Sequence, residues 1–365
     1  MSKSSQAKKV LVALSGGVDS SVAAVLLKNQ GYYIEGAYMQ CWNTGPYCST
    51  EKDRADAAKV AACLGIPFRI FDFEKEYKER VIDYFFSEYE AGRTPNPDVI
   101  CNKEIKFGIF LKKALELGFE YVATGHYARI RMSDAGSLIL DKNRKSSYHL
   151  YAGLDLAKDQ SYFLYTLTQD QLAKAIFPIG DYTKSEVRKL ASEAGLPTAN
   201  KPDSQGICFV GPVNLAEFLR EKIKPKEGQI VNTDGKTIGK HDGIPFYTIG
   251  QRAGVGVSSS VPHYVVEKRK EPNKLVVAPV GSRELYKRSL VATNLNWIGS
   301  NPKSGDRLQA RIRYRQPLEE ARIESIDTDV VRVKFSEPQK AVTPGQVVVI
   351  YDGAEVLGGG IIDEY

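Results

Sequence analysis

The run Leu11-Val12-Ala13-Leu14-Ser15-Gly16-Gly17-Val18-Asp19-Ser20-Ser21 carries the strongest chemical signal in the chain. An apolar strand leads into two glycines and then into a predicted helix. Glycines let the backbone turn with its N–H groups facing one point, and the helix N-terminus adds partial positive charge. Such a cradle suits phosphate. Ser15, Ser20 and Ser21 can donate hydroxyl hydrogen bonds to it, and Asp19 can hold a Mg2+ that travels with it. The ending of a Walker A loop is missing. The alternative is a plain strand-to-helix turn without a ligand. A look-alike at Gly235-Lys236-Thr237-Ile238-Gly239-Lys240 has the wrong spacing and no helix after it, so it reads as a β-turn.

Sulfur chemistry is the second possibility. Gly92-Arg93-Thr94-Pro95-Asn96-Pro97-Asp98-Val99-Ile100-Cys101-Asn102 holds two prolines within three residues, which stiffens a loop. Asp98 and Cys101 are three apart and share a face if a helical turn begins there. Either Asp98 serves a reactive thiol, or it caps a helix that buries an inert one. Cys208 follows Asp203-Ser204-Gln205-Gly206-Ile207 and, taken alone, reads as a small core residue. Cys41, Cys48 and Cys63 have no metal-ligand spacing and no histidine nearby, and Cys63 in an alanine-rich helix reads as core. No metal site is expected among these residues. Tyr121–Thr124 runs into Gly125, which would let a nucleotide approach, and His126, which either meets substrate or caps the strand.

Positioning these groups falls to alternating strands and helices over residues 1–210. Strands are expected at 10–13, 33–39, 68–73 and 121–124, and helices at 20–29, 54–64, 77–91 and 105–117, with Gly31, Gly65 and Gly118 as stops or turns. The fold class is α/β: a Rossmann-like parallel sheet with helices on both faces, and ligands beyond the carboxyl ends of its strands. Residues 211–281 read as a small central α+β domain, rich in β, with runs at 228–231, 237–238, 246–249, 264–268 and 275–278. Residues 282–365 hold six short strands and read as a β-barrel. Apolar residues make up 42% and charged ones 26%, which excludes bulk disorder. The longest apolar runs are too short for a membrane span or a signal-peptide core. Five cysteines in an odd, unpatterned set argue against a disulfide scaffold and for a reducing compartment. A net charge of +6 permits a polyanionic partner.

Taken in order, Ser-Gly-Gly-Val-Asp-Ser-Ser (15–21), the 92–102 run, Thr-Gly-His-Tyr (124–127), Lys-Asp-Gln-Ser-Tyr-Phe-Leu (158–164), Gly-Ile-Cys-Phe (206–209), Arg-Tyr-Arg-Gln (313–316) and Thr-Pro-Gly-Gln (343–346) resemble the tRNA-specific 2-thiouridylases. The first loop alone is shared with several ATP-pyrophosphatase families. The resemblance covers nearly the whole chain and implies ATP-dependent sulfur transfer to the 2-position of the wobble uridine of tRNA, through an adenylylated intermediate. It implies that Ala13, Leu14, Ser15, Gly16, Gly17, Val18, Asp19, Ser20 and Met39 hold ATP, with Gly125 behind the adenosine. Asn96, Pro97 and Asp98 would surround the target base. Cys101 and Cys208 would be the catalytic pair, with Cys208 carrying a persulfide. His126, Lys158, Asp159, Gln160, Arg313, Tyr314 and Gln346 would contact tRNA. The cofactors implied are ATP and Mg2+. The partners are tRNA and a persulfide-carrying sulfur-donor protein, with a monomer in the bacterial cytosol and no membrane. Leu14 stands where methionine is common, and Gln40-Cys41 where Lys-Asn is, which leaves the reactivity of Cys41 open.

The chemistry fits these residue types. The 2-oxygen of uridine is a poor leaving group until it carries AMP, so a loop that exposes the α-phosphate is required. A persulfide on Cys208 can then attack, and a second thiol, Cys101, must free the sulfur or release it as hydrosulfide. Asp98 can move the N3 proton. Lys103 and Lys106 are the cations that could hold thiolate. Two cysteines in the matched motifs are too few for an iron–sulfur cluster. The segment 206–209 is expected to be mobile, since it must fetch sulfur and deliver it. Arg311, Arg313 and Arg315 should alternate along one strand and share a face, either on RNA or in solvent. Two rivals stand beside this reading: an adenylylating enzyme with an amine nucleophile, which needs no cysteine pair, and a non-catalytic, ATP-responsive RNA-binding protein.

Overall fold

The computed structural model describes residues 7–42, 50–133, 147–203, 206, 208–211, 214–252 and 261–365. The first module contributes β1 (Lys9–Ala13), β2 (Tyr33–Gln40), β3 (Phe68–Asp72), β4 (Tyr121–Ala123), β5 (Ala128–Ser133), β6 (Ser147–Ala152) and β7 (Ala175–Ile176). Five of them form a parallel sheet in the order β3-β2-β1-β4-β7. In β1, Val10 to Ala13 are all buried, the continuous apolar run expected of a strand covered on both faces. The helix Val18–Asn29 packs Val22, Ala23 and Leu27 onto one face, and Gly31 turns the chain back at φ +83°. Strand directions bring residues 14–17, 40–42 and 124–126 to one edge.

The opposite face carries two long helices, 74–90 and 97–116, each interrupted by π-helical turns at Lys78–Ile82 and Cys101–Phe110. Such turns recur at functional sites because they re-aim side chains within a packed helix. The second helix begins eight residues earlier than expected because Asn96 caps it, accepting from the Val99 amide at 3.3 Å, with Pro97 as the first helical residue. Asp98 is therefore not the cap, and its carboxylate is free for other work.

The central module holds β8 (Gly228–Val231), β9 (Thr237–His241), β10 (His263–Arg269) and β11 (Lys274–Pro279), in the order β10-β11-β8-β9. The run 246–249, expected as a strand, is instead the exit of a 3-10 turn over Ile244–Phe246. The look-alike at 235–240 is a turn entering β9, closed by Asn232.

Strands β12 (Tyr286–Trp297), β13 (Arg307–Arg311), β14 (Glu319–Ile326), β15 (Val330–Lys340), β16 (Val347–Asp352) and β17 (Glu355–Glu364) close into a barrel, β17 pairing back onto β12. Alternate residues Val331, Val333 and Phe335 point into it. The hairpin β5–β6, which the sequence reading had not placed, extends this sheet by pairing Leu150 and Tyr151 with Val356 and Glu355. The barrel is thus fastened to the first module by a continuous sheet. Arg311 ends β13, and Arg315 turns the chain at φ +64°, so the expected alternation stops and Arg311, Arg313 and Arg315 do not share a face.

The barrel also clamps the proline loop. Thr94 donates its amide to the Pro344 carbonyl at 2.9 Å, and Gln346 donates to the carbonyls of Thr94 and Pro95 at 2.9 and 3.1 Å. Gly345 makes this possible: its φ is +89°, and a Cβ there would lie 2.8 Å from the Thr94 amide nitrogen. Replacing Gly345 with alanine should cost about 1–3 kcal/mol of stability, measurable by chemical denaturation.

Candidate active site

At the nucleotide loop, Gly16 takes φ +76°, and a Cβ there would lie 2.3 Å from the Asp53 carbonyl oxygen. Ser20 accepts from the Ser15 amide at 3.1 Å, and Ser21 donates to the Gly17 carbonyl at 2.7 Å while accepting from Thr198 at 3.0 Å. The two serine hydroxyls of the helix therefore shape the turn, and Ser15 is the serine exposed at its mouth. Ala13, Leu14, Val18 and Met39 are all buried, Ala13 and Met39 in one core cluster and Leu14 and Val18 in another, with Leu14 tied by its amide to the Ala37 carbonyl at 2.8 Å. Gly125 makes room for the loop itself, since a Cβ there would lie 2.6 Å from the Ser20 nitrogen. Asp19 accepts from Tyr127 at 2.8 Å and from Lys184 at 2.8 Å on each oxygen. A turn that positive φ keeps open, an exposed hydroxyl and a lysine at its edge fit a polyphosphate. Asp19 is the carboxylate that could hold an accompanying Mg2+.

The two thiols meet across 107 residues: the Cys101 Sγ donates to the Cys208 Sγ at 3.6 Å. Helix 97–116 positions Cys101, which is fully buried, and Asp98, whose Oδ1 accepts the Cys208 amide at 3.1 Å. Cys208 itself is partly exposed. Its carbonyl accepts from the buried Tyr77 hydroxyl at 2.5 Å, and Phe209, at φ +64°, sets its ring edge-on to Tyr77 at 5.8 Å. The hydrogen bond from Cys101, opposed by burial and aided by the Lys106 ammonium, pulls the Cys208 thiol down. Burial pushes Cys101 well up, as does its neighbour's charge. Of the two thiols, Cys208 is the one whose surroundings favour the thiolate.

Lys106 sits at the centre of the electrostatics. Burial disfavours its charge, but Cys208, Cys101 and Asp98 outweigh that and raise it above the usual lysine range. Lys103 instead faces solvent beside Glu104. His126 is buried, with Nδ1 at 2.7 Å from the Thr124 hydroxyl and Nε2 at 3.5 Å from the Lys106 ammonium. Burial, with that cation, pushes its pKa well below 6.5, so the ring is neutral with Nε2 as acceptor. Burial raises Asp98, against the pull of the Cys208 amide and Lys106. Replacing Lys106 with methionine should raise the Cys208 pKa, since the cation that favours thiolate is lost. Alkylation of Cys208 near neutral pH should then slow about tenfold, with the pH profile moving upward by about one unit.

Lys158, Asp159 and Gln160 turn out to be three ties to three different units. Lys158 pairs with Asp203 at 2.7 Å. Gln160 accepts the Tyr127 amide at 3.0 Å, and the Tyr127 hydroxyl reaches Asp19. Asp159 is fully buried, accepting from Gly153, Ser161 and, at 3.1 Å, Arg311. The structure places Asp159 beyond the reach of a macromolecule, because the barrel covers it. Arg313 donates to the carbonyls of Ile249 and Ala341 and to Thr343, at the seam of all three modules. Tyr314 packs on Phe163 at 4.5 Å.

Cys41 is buried in the same cluster as Cys101, and burial raises its thiol. Cys63, expected as core, is exposed: its helix, Thr50–Leu64, buries Ala57, Val60 and Ala61, and Cys63 lies off that stripe. Cys48 and Ile207 lie outside the described residues. Sequence reasoning missed Lys184, Tyr127 and Tyr77. The first was legible in Thr183-Lys184-Ser185-Glu186, whose reciprocal Thr183 and Glu186 caps start a helix at Lys184.

Three family models match in order: the tRNA methyl transferase HUP domain over residues 8–212, the tRNA methyl transferase PRC-barrel domain over 216–279 and the aminomethyltransferase beta-barrel domain over 287–362. The tRNA-specific 2-thiouridylase of Alkaliphilus oremlandii is 47% identical over 372 residues, covering 100% of this chain and 99% of its own. Those of Francisella philomiragia and Geobacillus thermodenitrificans are each 46% identical, covering 98% and 100% of this chain and 99% and 97% of their own. With two thiols from distant segments brought together beside a phosphate-type loop, and likeness of this extent, the chain belongs to the tRNA-specific 2-thiouridylase family.

Proposed function

We propose that this protein replaces the 2-oxygen of the wobble uridine of tRNA with sulfur and cleaves ATP to AMP and pyrophosphate in doing so. The 3.6 Å approach of Cys101 and Cys208 carries the reading, since an amine-using adenylylating enzyme has no use for it. ATP would set its phosphates at the loop from Leu14 to Ser20. Mg2+ would neutralise the departing pyrophosphate, and Asp19 is the residue suited to hold it. The uridine 2-oxygen attacks the α-phosphorus, pyrophosphate leaves, and the oxygen becomes part of an AMP leaving group.

Exposure divides the labour between the thiols. Cys208, partly exposed, accepts sulfane sulfur from a donor protein and becomes a persulfide. Its terminal sulfur attacks C2, AMP departs, and the base is joined to Cys208 through a disulfide. With the Cys208 charge consumed in that disulfide, the neighbour that held the Cys101 proton is gone; Cys101 gives up its proton beside the Lys106 ammonium, attacks the Cys208 sulfur and expels the 2-thiouridine, which takes up a proton, leaving a Cys101–Cys208 disulfide for a reductant to reopen. In the variant route Cys101 attacks first, and released hydrosulfide attacks C2. Either route forms one disulfide per product. An S–S bond near 2.05 Å needs only about 1.5 Å of closure from the present geometry. Asp98, its proton affinity raised by burial, exchanges a proton with N3 of the base, and Asn96 and Pro97 frame that base.

Arg313, Tyr314 and Gln346 would steady the tRNA from the seam between modules, and Lys158, Gln160 and His126 from the first module. The protein would act as a monomer in the bacterial cytosol. The test is mass spectrometry of nucleosides from tRNA incubated with ATP, Mg2+ and the protein carrying a persulfide on Cys208. 2-Thiouridine formed only with ATP is the expected result. Pyrophosphate release without thiouridine, or tRNA binding with neither, would refute the reading.

A further inference from the structure

The hairpin β5–β6 and the start of β17 bring a serine, a histidine and a glutamate into line on one partly exposed face. Alternation along β6 puts Ser147, His149 and Tyr151 on the same side. The register sets Ser133 and Arg131 of β5 opposite Ser147 and His149, and Glu355 of β17 opposite Tyr151. Glu355 Oε1 lies 2.6 Å from His149 Nδ1, and His149 Nε2 lies 3.1 Å from Ser147 Oγ. Ser133 Oγ is 2.6 Å from Ser147 Oγ and 3.3 Å from Nε2. Tyr151 donates to the other Glu355 oxygen at 3.4 Å and steadies it. Beside a carboxylate, Nδ1 carries the proton of the neutral ring, which leaves Nε2 as an acceptor for a hydroxyl. The His149 and Glu355 side chains keep 26% and 24% of their surface in water, so a small molecule can reach them.

We propose that Ser147 is a nucleophile for small activated acyl donors such as acyl phosphates, with His149 as its base and Glu355 as the residue that positions the ring. Carboxylate, imidazole and hydroxyl in that order turn an ordinary alcohol into a nucleophile. As Ser147 Oγ bonds to the acyl carbon, its proton passes to Nε2. The bond from that carbon to the phosphate oxygen breaks, and phosphate leaves with the proton. Water then attacks the serine ester, passing its own proton through Nε2 to Ser147 Oγ, and a carboxylic acid departs. Arg131, the cross-strand neighbour of His149, shares this face and is held by Asp181 at 2.7 Å. It supplies positive charge for an anionic donor and for the oxygen that becomes anionic during attack. A patch that merely fastened hairpin to barrel would need the His149–Glu355 contact but no hydroxyl on Nε2. The site shares no residue with the nucleotide loop or the thiol pair, and it stands independently of the function proposed above.

The test treats the full-length protein with p-nitrophenyl acetate, quenches in acid within the first turnover, and locates acetyl-serine by peptide mass spectrometry. Acetylation should fall on Ser147. His149→Gln should slow it about a hundredfold, the usual worth of a general base. Free imidazole should restore part of the rate in His149→Ala, a rescue that a merely structural histidine would not show. Glu355→Gln should slow acetylation at least about tenfold, and Glu355→Asp should recover part of the loss. Thermal midpoints of the same variants separate these effects from unfolding. Absence of acetyl-Ser147, acetylation at Ser133 in its place, or an unchanged rate in a folded His149→Gln overturns the proposal. Glu355→Gln acetylating as fast as the unaltered protein contradicts the role given to the carboxylate.

Discussion

Replacing Cys208 with serine will lower 2-thiouridine formation from a protein persulfide donor by at least about a thousandfold, while tRNA-dependent pyrophosphate release stays within about threefold of normal. A hydroxyl cannot carry sulfane sulfur, but it leaves the nucleotide loop and the Asp98 contact to the backbone amide untouched. Cys101→Ser separates the two routes. If the persulfide attacks the base directly, tRNA stays joined to Cys208 through a disulfide. That adduct runs as a shifted band on a denaturing gel and is released by added thiol. If hydrosulfide is the nucleophile, neither adduct nor product forms. Normal thiolation by Cys208→Ser would remove Cys208 from the chemistry.

The second large effect is on stability. Arg311 and Asp159 pair at 3.1 Å with side-chain exposures of 6% and 0%, and Arg311 also lies over the Tyr351 ring at 4.8 Å. Removing one partner strands the other charge where water cannot reach it. Arg311→Met or Asp159→Leu alone should therefore cost about 3–5 kcal/mol, and the pair of substitutions together much less. Thermal midpoints should fall by roughly 5–10 °C for the single variants. Equal losses in the double and single variants would show that the pair is not what joins barrel to catalytic module.

Part of this was legible in the sequence. The glycine loop and the proline loop are local devices, and local chemistry reads well from adjacent residues. The meeting of Cys101 with Cys208 came only from resemblance, because nothing in the spacing brings residues 107 apart together. Arg311 was misread because strand alternation says which residues share a face, not where the strand stops. β13 stops at Arg311, and that side chain turns inward to a carboxylate from another module. The hairpin β5–β6 went unplaced although Ala128-Arg129-Ile130-Arg131-Met132 alternates, because its partner in the sheet, β17, lies more than 200 residues on. The run Lys158 to Gln160 reads as one tRNA-contact motif in the sequence, yet its intramolecular partners are three: Asp203 for Lys158, the barrel's Arg311 for the buried Asp159 and the Tyr127 amide for Gln160. Ties of that kind are properties of the assembled fold.

The central claim is that two thiols work as a pair on one activated base. Its most direct test starts from protein carrying a persulfide on Cys208, mixed with tRNA and ATP for a single turnover without reductant, then digested under thiol-trapping conditions. The account predicts one Cys101–Cys208 disulfide for every 2-thiouridine formed. Thiouridine produced in equal amount with Cys101 still a free thiol would contradict it.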